Sequence, residues 1–138
     1  MRLASFRLSG RPAYGVVEGD RLRPAPEAFV ARYPDLKAAL AAGVLPELAQ
    51  LAAGATALPV AGATFAPVIP EPGRSLCVGV NFLANSREPG CKQPDYPTLF
   101  VRFPDTLVGH GQPLRKPRVS DQYDYEGELA LVIGRPAR

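Results

Sequence analysis

Asp124-Tyr125-Glu126-Gly127-Glu128-Leu129-Ala130-Leu131-Val132-Ile133-Gly134 is the most informative stretch of this chain. Its second half is aliphatic without interruption and ends on glycine, which predicts a strand over 126–133, buried on both faces and needing a partner on each side. Side chains alternate along a strand. Asp124, Glu126 and Glu128 therefore share one face, and Tyr125, Leu129 and Leu131 share the other. Carboxylates two residues apart on one face repel unless a positive charge neutralises them. A hard divalent cation does so through oxygen ligands, and Gly127 leaves room for a ligand or another segment to approach the backbone. From spacing alone, a solvent-facing strand end with ordinary surface acids remains equally open.

Working outward, the strand is preceded by two further strand-like runs, Ser75–Val80 and Thr98–Phe103, separated by long polar loops. Before them, Pro67-Val68-Ile69-Pro70-Glu71-Pro72-Gly73 can neither join a central strand nor continue a helix, and it marks the border between a module of residues 1–66 and a region of residues 67–138. The first module opens with strand-like runs Leu3–Leu8 and Tyr14–Glu18, divided by the turn cluster Ser9-Gly10-Arg11-Pro12, and a turn at Gly19-Asp20 leads into Arg21-Leu22-Arg23. Two helices follow, one from Pro34 to Gly43 and one from Pro46 to Gly54, by the preference for Pro at helix starts and Gly at helix ends. Leu36, Leu40, Leu48 and Leu51 are expected to face the core. The fold class is α+β, mainly β: a small leading α+β module followed by the opening strands of a mixed β roll. Three strands are too few to flank the last one, so the sequence reads as the front part of something longer.

Composition narrows the function. In 138 residues, 46% are hydrophobic and 21% charged, which fits a globular chain rather than a disordered one. No apolar stretch is long enough to cross a bilayer, and the start Met1-Arg2-Leu3-Ala4-Ser5-Phe6-Arg7 is broken too soon to be a signal peptide. A cytoplasmic protein without a membrane partner is expected. The net charge of +3 is spread along the chain, there is no Trp, and the cluster Arg115-Lys116-Pro117-Arg118 reads as a solvated loop or the rim of an acidic-substrate site. No nucleic-acid partner is expected. Two cysteines cannot build a disulfide framework: Cys77 reads as a small buried hydrophobe and Cys91 as a loop thiol.

Four ordered segments resemble the fumarylacetoacetate hydrolase family: Leu76-Cys77-Val78-Gly79-Val80-Asn81-Phe82, Tyr96-Pro97-Thr98-Leu99-Phe100-Val101-Arg102, Leu107-Val108-Gly109-His110-Gly111-Gln112-Pro113-Leu114, and the acidic strand. The last, Glu-x-Glu-Leu-Ala before Val-Ile-Gly, is the most specific. The amino-terminal portion resembles the small leading domain of bacterial members. The resemblance implies a Mg²⁺, Mn²⁺ or Ca²⁺ site with Glu126 and Glu128 as two ligands and an aspartate further along as a third. It implies hydrolysis of a carbon–carbon bond in a 2,4-dioxo acid, a fumarylacetoacetate-like or acylpyruvate-like substrate from aromatic catabolism, and a homodimer. Relatives run decarboxylation, isomerisation and hydration through the same enolate chemistry. Many members carry a His and a Glu on a short segment after the first motif. Here Glu88 matches the acid, and Asn85 stands in place of the histidine.

Other groups remain candidates on their own chemistry. His110, the single histidine, sits between glycines, where it is either a structural hydrogen-bonding residue or a proton-transfer group aimed into a cleft. Arg102 follows an apolar run, either as a surface arginine or as a bidentate partner for a substrate carboxylate. Tyr123 and Tyr125 read as packing residues. A non-catalytic fragment or binding module is the rival reading, and the 138 residues alone are expected to be inactive.

Overall fold

Arg2–Leu8 (β1), Arg11–Glu18 (β2) and Arg21–Pro24 (β3) form consecutive antiparallel hairpins in the computed structural model, which describes residues 1–82, 92 and 94–136. The first hairpin closes on two residues, Ser9 and Gly10, both at positive φ (48° and 78°), as a right-twisted two-residue turn requires. Three short helices follow: Glu27–Val30 (α1), which was not expected, and Leu36–Ala41 (α2) and Leu45–Ala53 (α3), which match the two expected helices. Asp35 caps α2 by accepting from the Ala38 amide at 2.7 Å, so this helix begins two residues after Pro34. Pro46 lies in the first turn of α3, and Gly54 follows its last residue.

Leu58–Pro59 (β4) and Thr64–Phe65 (β5) complete a five-stranded sheet in the order β4-β3-β2-β1-β5, all of its pairs antiparallel. The helices cover one face. There Tyr14 and Val16 of β2 pack with Phe29, Leu36, Ala39, Leu48 and Ala52. On the other face Ala4, Phe6 and Leu22 are buried against Val60 and Ala63 of the segment between β4 and β5 and against Phe65 of β5. The period-2 alternation of β1 and β2 thus serves two cores, one on each side of the sheet.

Two details of the helical face differ from expectation. Leu51 is 40% exposed and Leu40 only partly buried, whereas Ala39 and Ala52 are sealed. The inward stripe follows Leu36–Ala39 and Leu48–Ala52, and alanine fits there because the helices lie close to the sheet. At the margin of this core the Tyr14 hydroxyl donates to the Tyr33 carbonyl. Burial first, and the Asp35 carboxylate second, push the Tyr14 phenol up to about 12. The folded state therefore prefers neutral Tyr14. Its contribution is complete below pH 10 and is lost as pH rises through the folded value. The melting temperature should fall between pH 10 and pH 12, and Tyr14→Phe should flatten that part of the profile. Identical alkaline profiles for both proteins would exclude Tyr14 as the titrating group.

Ser75–Gly79 (β6) and Thr98–Arg102 (β7) form a separate two-stranded antiparallel sheet within the compact unit of residues 71–107. Ser75 faces Arg102, and Cys77 faces Phe100. Cys77 is partly exposed rather than buried, because this small sheet has no covering layer among the described residues. Residues 1–70 and 108–138 make up the other unit.

The expected strand over 126–133 is not formed among the described residues. The stretch has neither helix nor strand, and Leu129, Leu131, Val132 and Ile133 are 53–79% exposed. Strand identity needs a hydrogen-bonded neighbour, and this stretch pairs with none of the described strands. Tyr123 and Tyr125, expected to pack, are exposed for the same reason.

Candidate functional site

Gly109 and His110 are held against the leading module by backbone contact. Gly109 is buried, and a Cβ built on it would lie 2.0 Å from the Phe65 carbonyl oxygen, so only glycine permits this approach. The Gln112 amide donates to the Gly109 carbonyl at 3.0 Å, closing a turn with Gly111 at φ 74°. The His110 ring meets Phe65 edge to face, with centroids 5.7 Å apart and planes at 83°. Its glycine neighbours thus serve close docking as much as adaptability.

Beside this contact lies a pocket of 280 Å³. Its wall includes Arg2 and Val17, which are direct cross-strand partners on β1 and β2, together with Phe65, Val68, Val108 and His110. The proline-rich crossing is strapped along its rim: the Ser5 hydroxyl donates to the Val68 carbonyl at 2.7 Å, and the Ala66 amide donates to the Ser5 carbonyl at 2.9 Å. Sequence reasoning missed Arg2, Val17 and Phe65 as cavity residues. The alternation of the first hairpin puts Arg2, Ala4 and Val17 on one face, but a two-residue strand such as β5 leaves no periodic signal to reveal what lies over them.

Arg102 is exposed on β7 with its guanidinium 5.5 Å from the Phe100 ring centroid, a cation–π stack with the residue two positions earlier on the same face. Glu126 and Glu128 are exposed and make no ion pair among the described residues. Their chemistry suits Mg²⁺, Mn²⁺ or Ca²⁺, to which they offer two hard oxygen donors. Among the described residues no three His, Cys, Asp or Glu side chains converge on one point, so these two acids are not joined there by His110 or by a third carboxylate. Glu88, Asn85 and Cys91 lie outside the described residues. A second cationic cluster is structural: Arg32 lies over the rings of Phe29 and Tyr33 and pairs with Glu47, whose hydrogen bond raises the arginine's pKa.

Comparison with known proteins extends over both regions. Residues 74–138 match the model described as "Fumarylacetoacetate (FAA) hydrolase C-terminal", and residues 1–72 match that described as "Rv2993c-like, N-terminal". The chain belongs to the fumarylacetoacetate hydrolase family. Members of the family generally bind a divalent metal, and Glu126 and Glu128 lie inside the matched carboxy-terminal segment.

Similar proteins include an oxaloacetate tautomerase of Bacillus subtilis, 39% identical over 71 residues, covering 49% of this chain and 24% of that protein. A "fumarylacetoacetate hydrolase domain-containing protein 2 homolog" of Dictyostelium discoideum is 37% identical over 68 residues, covering 49% of this chain and 22% of that protein. A mitochondrial oxaloacetate tautomerase of Homo sapiens is 33% identical over 88 residues, covering 64% and 28%. The matches thus span about a quarter of the length of these relatives. Two of these three relatives are named as oxaloacetate tautomerases and one by its fumarylacetoacetate hydrolase domain. Among the described residues no helix is long and apolar enough to cross a membrane.

Proposed function

We propose that this protein takes part in the keto–enol interconversion of a 2-oxo dicarboxylate of the oxaloacetate type, assisted by a divalent cation. The observation that carries this reading is the pair Glu126 and Glu128 inside a matched family segment, in a chain whose relatives include oxaloacetate tautomerases. Glu126 and Glu128 would hold Mg²⁺, Mn²⁺ or Ca²⁺. When bound, the ion supplies Lewis acidity toward the oxygens of a 2-oxo acid.

The remaining work falls to side chains of this chain. Tautomerisation breaks one C–H bond beside the 2-oxo group and places a proton on the carbonyl oxygen, so a base and an acid are needed and no atom leaves the substrate. Glu88 and His110 are the groups assigned to that transfer. Arg102 is assigned to the distal carboxylate, which a guanidinium can grip in bidentate fashion while the Phe100 ring limits its rotation. The functional unit is proposed to be a homodimer in the cytoplasm, its leading module formed by residues 1–66.

A second reading, hydrolysis of a carbon–carbon bond in a 2,4-dioxo acid, draws on the family description and uses the same metal and enolate chemistry. One assay separates the two. The ultraviolet absorbance of enol-oxaloacetate should decay faster with protein and Mn²⁺ than with Mn²⁺ alone, and EDTA should abolish the difference. His110→Ala should slow that decay roughly a hundredfold if the imidazole moves the proton; a wild-type rate would make His110 structural. Cleavage of acylpyruvate without acceleration of the enol decay would transfer the assignment to hydrolysis.

A further inference from the structure

The 280 Å³ pocket against the first hairpin uses none of the side chains assigned to the metal or to the distal carboxylate, and it shares only His110 with the proposed proton transfer. It opens on the sheet face opposite the helices, where the small side chain of Ala4 leaves space between β1 and the segments carrying Phe65 and Val108. Its wall is chemically divided. Val17, Phe65, Val68 and Val108 give an apolar surface, while Arg2 and His110 are the lining residues whose side chains carry hydrogen-bond donors. Arg2 has no ion pair among the described residues, so its charge lacks a local counter-ion there. The volume lies just below the usual span of ligand pockets, about 300–1,000 Å³.

We infer that this pocket is a binding site for a small monocarboxylate with a short apolar tail. The tail would lie along Val17, Phe65 and Val108, and the carboxylate would pair with Arg2 in bidentate fashion and accept from His110. The pocket walls are already fixed. The Ser5–Val68 hydrogen bond pins one side, and the seating of Gly109 on the Phe65 carbonyl pins the other, so a ligand enters without ordering a loop. Because Val108–His110 belong to the segment matched by the hydrolase model and β1 to that of the leading module, such a ligand would bridge the two matched segments.

The test is a chemical-shift titration of the protein with hexanoate, and with hexanamide as its uncharged counterpart. Hexanoate should perturb amides of residues 2–5, 65, 66, 68 and 108–110 in a saturable way, and hexanamide should bind at least about tenfold more weakly. Arg2→Gln, at an exposed strand end, should weaken hexanoate by a similar factor with an unchanged melting temperature. Lys37→Gln, outside the pocket, should leave the affinity as it was. Equal affinity for acid and amide, an undiminished affinity in Arg2→Gln, perturbations elsewhere, or no saturation at millimolar hexanoate would each overturn the assignment. The pocket shares His110 with the proposed proton transfer, but none of these readouts depends on turnover, so failure of the pocket and failure of the proposed reaction are distinguishable.

Discussion

Gly15→Ala should destabilise the leading module by about 3 kcal/mol, lowering its melting temperature by on the order of 15 °C. Gly15 lies in the middle of β2, between Ala4 of β1 and Pro24 of β3. A Cβ there would stand 2.1 Å from the Arg23 carbonyl oxygen and 2.9 Å from both the Arg23 carbonyl carbon and the Pro24 Cα. All three are backbone atoms of the neighbouring strand, so no side-chain rotation relieves the overlap. Relief requires β3 to move, and β3 is fixed by its pairing to β4 and by the Ala25 amide donating to the Tyr14 carbonyl at 2.8 Å. Gly62→Ala is the control, because a Cβ at that position meets nothing within 4 Å. Urea unfolding of the two variants beside the parent measures the difference. A midpoint for Gly15→Ala equal to that of Gly62→Ala would show that β3 yields easily.

Glu126→Ala and Glu128→Ala should each reduce metal-dependent turnover by roughly a hundredfold or more and weaken Mn²⁺ binding in calorimetry, while unfolding free energies stay within about 0.5 kcal/mol of the parent. The second half of that expectation follows from their surroundings. Both side chains are exposed and make no ion pair among the described residues, so truncation leaves neither a cavity nor an orphaned buried partner. The first half rests on the proposed metal role, in which each truncation would remove one of two oxygen donors. Wild-type turnover in both variants would remove the acidic pair from the metal site and leave the family assignment in place.

The first hairpins were legible in the sequence because turn residues interrupt runs of alternating polarity, and each turn has a local chemical cause. The second and third helices were legible from proline at their starts and glycine at their ends. The four-residue α1 was missed, although Pro26-Glu27 carries the same start signal, because it is too short to show a period. Ala39 and Ala52 were missed because a search for large apolar residues overlooks positions where the backbone itself approaches the sheet. The docking of Gly109 has no sequence signature: a glycine required for close approach looks the same as one required for a turn. For the candidate site, the sequence nominates residues by their chemistry and order, and their assembly in space leaves no local signal. A strand such as 126–133 acquires its face pattern from a ladder that is absent among the described residues.

The lengths of β4 and β5 have a practical consequence. Each is two residues long and each ends one side of the five-stranded sheet. Edge strands this short offer an arriving chain little ladder to extend, and strand-by-strand growth starts from such ladders. Concentrated solutions of the leading module should therefore resist fibril formation, and Pro59 at the β4 margin acts in the same direction.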